Sequence, residues 1–317
     1  MGKRESTILA SQAGPVLERL MRGPGSAAPQ HHDEEPPAEQ RRIGDLVRQV
    51  RGLSEQQVGQ VMALQRQRPL LRFGEAAVAL GLASEHDVLW ALSQQHAYPY
   101  ARSGDAGLGA ELVLAREPFS RQAEHFRRLR SRLLAGVLAP HPARRALAIA
   151  SADRGDGKTY FAANLAVALS QLGARTLLID ADLRTPRLHV LFGLPGDSGL
   201  SNVLARRQQG APSILAVESL PGLFVMPAGT LPPNPVDLVQ RATLDALLQE
   251  MAGTFEHVLI DTPAACHGAD GAVIAGKAGA ALLVARRHAS RLAPLRELLR
   301  DLAERPVALA GVLVNER

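Results

Sequence analysis

The stretch ALAIASADRGDGKTYFAANLAVALSQLG, residues 146–173, decides the fold. Its first part, ALAIAS at 146–151, is a short apolar run of strand character, and the apolar spacing after Thr159 is helical. Between them lies a Gly-rich loop, and a loop of this kind joining strand to helix is what phosphate binding requires. Gly155 and Gly157 let backbone amides curl around phosphate oxygens at the helix N-terminus. Lys158 supplies a neutralising charge and Thr159 a hydroxyl for a magnesium ion; Asp156 and Tyr160 complete the predicted nucleotide-binding run. The spacing departs from the strict G-x-x-x-x-G-K-[ST] pattern, because Ala152 stands where the first glycine belongs.

Two further segments place carboxylates at the same predicted sheet edge. In LLIDADLR, 177–184, Asp180 and Asp182 alternate along an extended segment and can face one side; in HVLIDTPA, 257–264, Asp261 ends an apolar strand. Three buried carboxylates converging beside a phosphate loop invite a cation or a basic partner. Strands are predicted at 146–151, 175–181, 223–229, 257–262, 280–286 and 307–315, with helical patterns between them. The expected fold class is therefore α/β, a mainly parallel sheet flanked by helices.

These residues resemble the bacterial tyrosine kinases that accompany polysaccharide co-polymerases in capsule and exopolysaccharide production. The resemblance covers roughly residues 117–315 and rests on an ordered series. SADRGDGKT is similar to the family's modified Walker A loop, LLIDADLRTPRLHVLFGL to its Walker A′ motif, VLIDTP to its Walker B strand, and PAGTLPPNPVDLV to a downstream segment. It implies phosphoryl transfer from ATP to a tyrosine hydroxyl, with Lys158, Asp180 and Asp182 as catalytic residues and Thr159, Asp182 and Asp261 at magnesium. It also implies Asn315 at the adenine, a membrane-embedded co-polymerase as partner, a protein tyrosine substrate and an oligomeric ring. Glu124, Arg127 and Arg130 in EHFRRLR share a helix face and resemble the family's E-x-x-R-x-x-R oligomerisation motif.

Two other readings stand beside this one: a non-catalytic ATP-dependent adaptor of the co-polymerase, and a partitioning or division-site ATPase of the same deviant Walker class. The latter group carries a signature Lys five positions before the loop Lys, where this chain has Asp153. The tyrosine kinases also carry a C-terminal tyrosine cluster. Here the tyrosines are Tyr98, Tyr100 and Tyr160, so phosphorylation within such a tail has no acceptor in this sequence.

Outside the large domain, expected at 117–317, residues 1–41 read as a flexible N-terminal segment and linker, with a Pro-, His- and acid-rich run. The adjacent His31 and His32 lack the preorganised shell of a metal site. A tandem repeat domain is expected at 42–100, since Arg42–Gln65 and Arg72–Gln95 align, each reading as helix, turn and helix, with Ser54 and Ser84 as N-caps. The repeats resemble the N-terminal domain of type II secretion ATPases, some of which bind cyclic di-GMP. That likeness implies a possible ligand set of Arg42, Gly44, Arg72 and Gly74, against a structural or partner-docking repeat. A linker is expected at 101–116.

Composition agrees with two domains: 317 residues, 46% hydrophobic but only 3% aromatic, suit an aliphatic core of helices on a sheet. The single Cys266 excludes an intramolecular disulfide and suggests a reducing, cytosolic location. No apolar run reaches the ~18 residues of a spanning helix, so membrane association is expected through a partner. The net charge of +5 is dispersed among acidic residues, and no nucleic-acid partner is expected.

Overall fold

The structure is a computed structural model that describes residues 43–95, 107–140, 145–206 and 213–316. These fall into two compact units, meeting in the chain at about residues 104–105.

The small unit contains four helices among its described residues: α1 (Ile43–Arg51), α2 (Glu55–Gln67), α3 (Phe73–Ala79) and α4 (Glu85–Gln95). They are the two helix–turn–helix copies. In each, a left-handed glycine ends the first helix, Gly52 at φ 61° and Gly81 at φ 68°. The next leucine amide then reaches back five residues, Leu53 to Arg48 at 3.0 Å and Leu82 to Ala77 at 2.9 Å. This satisfies carbonyls that the helix leaves orphaned. Ser54 caps α2 reciprocally with Gln57, and Ser84 caps α4 with Asp87, whose Oδ2 accepts from the Ser84 amide and hydroxyl. Ala83 is the additional residue in the second turn that displaces its Gly-Leu pair from the first copy's register. The copies interlock, α1 packing on α4 and α2 on α3, around Val47, Val61, Ala77 and Trp90.

In the large unit a seven-stranded sheet has the order β3-β4-β2-β5-β1-β6-β7. Its strands are β1 (Ala146–Ala150), β2 (Thr176–Asp180), β3 (Leu215–Ala216), β4 (Leu223–Met226), β5 (His257–Asp261), β6 (Gly279–Arg286) and β7 (Ala308–Asn315). All pairings are parallel except that of β3 with β4. The two-residue β3 is too short for a period to register, and it has no counterpart among the six expected strands. The central strands are buried at nearly every residue, which is why their sequences run continuously apolar.

Helices cover both faces: α5 (Val113–Arg116), α6 (Arg121–Ala135), α7 (Lys158–Ser170), α8 (Leu188–Leu191), α9 (Leu200–Leu204), α10 (Pro235–Gln240), α11 (Ala242–Thr254), α12 (Asp270–Ala278) and α13 (Leu292–Ala303). Every residue of α7 from Ala162 to Ser170 is buried, and its alanines let it lie close on the sheet.

One boundary differs from expectation. The stretch 107–116, expected as the end of a linker, packs into the large unit, with Leu112 and Leu114 fully buried. Its backbone is tied to Asn164 in α7, which accepts from the Leu114 amide at 3.2 Å and donates to the Glu111 carbonyl at 2.9 Å. The sequence concealed this because a buried Asn inside an apolar helix carries no periodic signal.

Candidate functional site

The register of the three central strands assembles the site. Asp180 at the end of β2 lies beside Asp261 at the end of β5, which in turn pairs with Ile149 just before the phosphate loop. Parallel pairing brings all three carboxyl ends to one edge.

Between β1 and α7 the chain turns through residues 151–157. Gly155 and Gly157 adopt φ of 83° and 105°, and a Cβ on Gly157 would lie 2.6 Å from Asn315 Nδ2. Both glycines are thus demanded by backbone conformation, and the second also by a close neighbour. Asp156, 2% exposed, braces the loop from within. Its Oδ2 accepts from the Asp153 amide (3.1 Å), its Oδ1 from the Ser290 hydroxyl (2.6 Å), and its carbonyl from Asn315 Nδ2 (3.0 Å). Arg291 adds an ion pair to Asp153 at 3.0 Å. The turn after β6 thus clips onto the phosphate loop, a contact for which the run ARRHASR offered no motif. Residues after β1 are further held by the loop that follows β5, Ala265 donating to the Ser151 carbonyl and Cys266 to that of Ala152.

The three aspartates differ sharply in their surroundings. Asp180 is wholly buried, and its oxygens accept the amides of Asp182 (3.2 Å), Arg187 (3.1 Å) and Leu188 (3.0 Å). Burial and the adjacent Asp261 charge push its carboxyl well above the usual range, the Leu188 and Arg187 amides acting against this. Through these bonds Asp180 anchors the loop leading to α8. Asp182 also holds its own loop, accepting from the amides of Arg184 (3.2 Å) and Thr185 (2.9 Å) and from the Thr185 hydroxyl (3.0 Å).

Asp261 alone of the three has two buried oxygens without a hydrogen-bond partner. Burial pushes its carboxyl up to about 7, while the Thr159 hydroxyl and the Lys158 ammonium favour the ionised form. Lys158 is itself only 7% exposed. A bare buried carboxylate beside a hydroxyl and a phosphate-binding loop fits a hard divalent cation that shares its ligands with phosphate oxygens.

Next to this loop opens a cleft of about 700 Å³, lined by Phe126, Tyr160, Phe161, Leu313 and Asn315 among others. Tyr160, half-buried, packs edge-on against Phe126 and Phe161 at centroid distances of 5.5 and 5.3 Å. Asn315 stands between the cleft and the loop it braces.

The remaining predicted residues disperse. Arg130 turns inward to the Ala168 carbonyl (2.7 Å), and Arg127 pairs with Glu124 at 3.4 Å while also donating to the Pro118 carbonyl. All three residues expected at an oligomer face thus make contacts within their own subunit. In the small unit, a Cβ on Gly74 would meet Val88 at 2.4 Å, and one on Gly44 would rest on the Phe73 ring at 3.6 Å. Helix packing accounts for the close approach at Gly74, which had been expected for a ligand. The Arg72 amide donates to Glu75 Oε2 at 2.8 Å. Arg42, Tyr98 and Tyr100 lie outside the described residues.

Residues 147–316 match the CobQ/CobB/MinD/ParA nucleotide binding domain. The chain is similar to tyrosine-protein kinase ptk of Acinetobacter johnsonii, 34% identical over 160 residues, covering 50% of this chain and 22% of that protein. It is also similar to tyrosine-protein kinase YwqD of Bacillus subtilis, 31% identical over 205 residues, covering 64% of this chain and 85% of that one. It thus spans only about a fifth of some relatives and most of others. Among solved structures, the kinase domain of Escherichia coli tyrosine kinase ETK superposes with a TM-score of 0.61 at 29% identity, covering 64% of this chain and 79% of that one.

Proposed function

The chain belongs to the CobQ/CobB/MinD/ParA nucleotide-binding family and, within it, to the bacterial tyrosine-protein kinases, and on that premise we propose that its large unit transfers the γ-phosphoryl group of ATP to protein tyrosine. The observation that carries the reading is the bare, buried carboxylate of Asp261 beside Lys158 and Thr159, at the foot of the phosphate loop.

Magnesium, bound with ATP, would supply neutralisation of phosphate charge. Asp261 and Thr159 would hold it, and Asp182 would orient waters bound to it. The loop amides and Lys158 bind the phosphates, and Lys158 stabilises charge on the transferred group. The aromatic cleft beside Asn315 suits a purine base, with Tyr160 and Phe161 as its apolar wall. Tyr160 is half-buried in this wall, so the acceptor tyrosine belongs to another protein or to another part of this one.

The wider role we assign is regulation of exopolysaccharide polymerisation, chain length and export. A membrane-embedded co-polymerase would recruit the protein to the inner face of the plasma membrane, with several copies assembling there. Among the described residues no helix is long and apolar enough to cross a membrane, which fits recruitment. Asp153, tied to Arg291, occupies the position of the partitioning group's signature lysine and disfavours that alternative. DNA binding in a gel shift, sensitive to salt and to ATP, would restore it.

The deciding experiment substitutes Lys158→Met and follows ATP turnover, phosphotyrosine on a co-purified substrate and polymer length together. All three are expected to fall. Phosphate release from the native protein without phosphotyrosine on any substrate overturns the kinase reading and leaves an ATP-driven adaptor.

A further inference from the structure

Among the described residues, a side-chain ion pair joins the loops that follow β2 and β5. Arg184, two residues beyond Asp182, donates from Nε to Asp270 Oδ2 (2.8 Å) and from Nη2 to Asp270 Oδ1 (3.2 Å). Two parallel bonds from one planar guanidinium fix orientation as well as distance. Asp270, which opens α12, has a side chain 1% exposed, against 30% for Arg184. Gly268, at φ 146°, passes beside the fork, and a Cβ there would lie 3.1 Å from Asp270 Oδ1 and 3.3 Å from Arg184 Nη2.

Arg184 has a second attachment, since its backbone amide donates to Asp182 Oδ1 at 3.2 Å. One residue therefore holds Asp182 with its amide and the start of α12 with its side chain. The other end of the 262–270 loop is already fastened: Thr262 donates from its hydroxyl to the Ile149 carbonyl (2.8 Å), and Ala265 to that of Ser151 (2.9 Å). With the fork in place, the loop leaving Asp261 is tied to β1 at one end and to the Asp182 loop at the other.

We propose that the Arg184–Asp270 fork is a positioning strut that sets the separation of Asp182 and Asp261, and so governs binding of the metal–nucleotide complex and not of the nucleotide alone. The distinction follows from how the phosphate loop is held. Its shape is fixed by Asp156 acting on Asp153, Ser290 and Asn315, contacts the fork does not touch. Loosening the strut leaves those contacts in place, together with the Ala265–Ser151 and Cys266–Ala152 backbone bonds, and frees the far end of the 262–270 loop where it meets the Asp182 loop. The inference rests on the magnesium reading above.

The test uses the full chain and two variants. Arg184→Lys keeps the charge but cannot make the fork. The double variant Arg184→Met with Asp270→Asn removes both charges, so that no buried carboxylate is stranded. Affinity for a fluorescent ATP analogue is measured with EDTA and across a magnesium titration. Deuterium exchange at residues 262–270 is followed in the nucleotide-free protein. Metal-free affinity is expected to stay within about threefold of native, while the magnesium concentration for half-maximal enhancement rises about tenfold or more, the usual effect of losing an outer-shell partner. Exchange at 262–270 is expected to quicken in both variants. A folded double variant with the native magnesium response overturns the strut. A native protein whose nucleotide binding ignores magnesium overturns the metal reading itself, and the strut with it.

Discussion

Asp261→Asn should make the nucleotide-free protein more stable at alkaline pH while removing its response to magnesium. The native carboxyl is fully buried, and burial raises its pKa from 3.8 to about 7. A carboxylate raised on folding favours the folded state below 3.8, and that favour is lost as pH climbs through about 7. At ~1.4 kcal/mol for each pH unit of difference, about 3 kcal/mol disappears between about pH 5 and about pH 8. Asparagine cannot ionise, so the stability of the variant relative to native should rise by about 3 kcal/mol over that interval. Comparing across pH cancels any fixed cost of repacking an amide in place of the carboxylate. Asp180 reinforces the effect, because the Asp261 charge is among the causes of its own raised pKa. Trp90, the chain's one tryptophan, lies in the small unit's core and reports on the wrong unit. The assay is therefore amide exchange in β1 and β5 of metal-free protein at both pH values. Parallel native and variant curves would show that Asp261 is neutral or solvated, and would remove the basis for a cation there. Saturating magnesium–ATP should stabilise the native protein far more than the variant.

Other expectations are as direct. Ser84→Ala should destabilise the small unit by about 1 kcal/mol through loss of its cap, read from Trp90 fluorescence during urea unfolding. Burial acts to raise the Asp87 pKa, but its hydrogen bonds from Ser84 and the nearby Arg51 prevail and hold it below 3.8. That contribution is present above the usual carboxylate range and lost as pH falls through the depressed value, so Asp87→Asn should flatten the acid limb of the same unfolding curve. Gly199→Ala would place a Cβ 1.9 Å from the Pro227 carbonyl oxygen; a loss of about 1–3 kcal/mol is expected, as a shifted melting temperature of the large unit. Lys158→Met should retain the native melting temperature without nucleotide and lose the increase that ATP gives.

Much of the fold was legible because its signals are local. The buried parallel strands are continuous apolar runs, and each was expected within a few residues of its observed limits. The repeats were legible for the same reason: a glycine that ends a helix and a serine that starts one act within a single turn. What escaped was held by contacts distant in sequence. Asn164 reaches back to Glu111 and Leu114, and so converts an apparent linker into core. Ser290 and Arg291 clip a turn onto the phosphate loop more than a hundred residues earlier. Arg127 and Arg130 lie on one helix face as expected, but where their long side chains ended depended on which carbonyls stood within reach.

The sequence by itself determined that strand, glycine loop and helix would follow one another at 146–173, and that Lys158, Thr159, Asp180, Asp182 and Asp261 would sit at the carboxyl edge of a parallel sheet. Motif and spacing suffice for that, since both act along the chain. Only the tertiary structure decided how the carboxylates divide their work. The oxygens of Asp180 and Asp182 accept backbone amides of the loop after β2, whereas those of Asp261, on the neighbouring strand β5, accept none. A carboxylate's chemistry depends on the donors that surround it, and those donors arrive from other parts of the chain only when the sheet has closed.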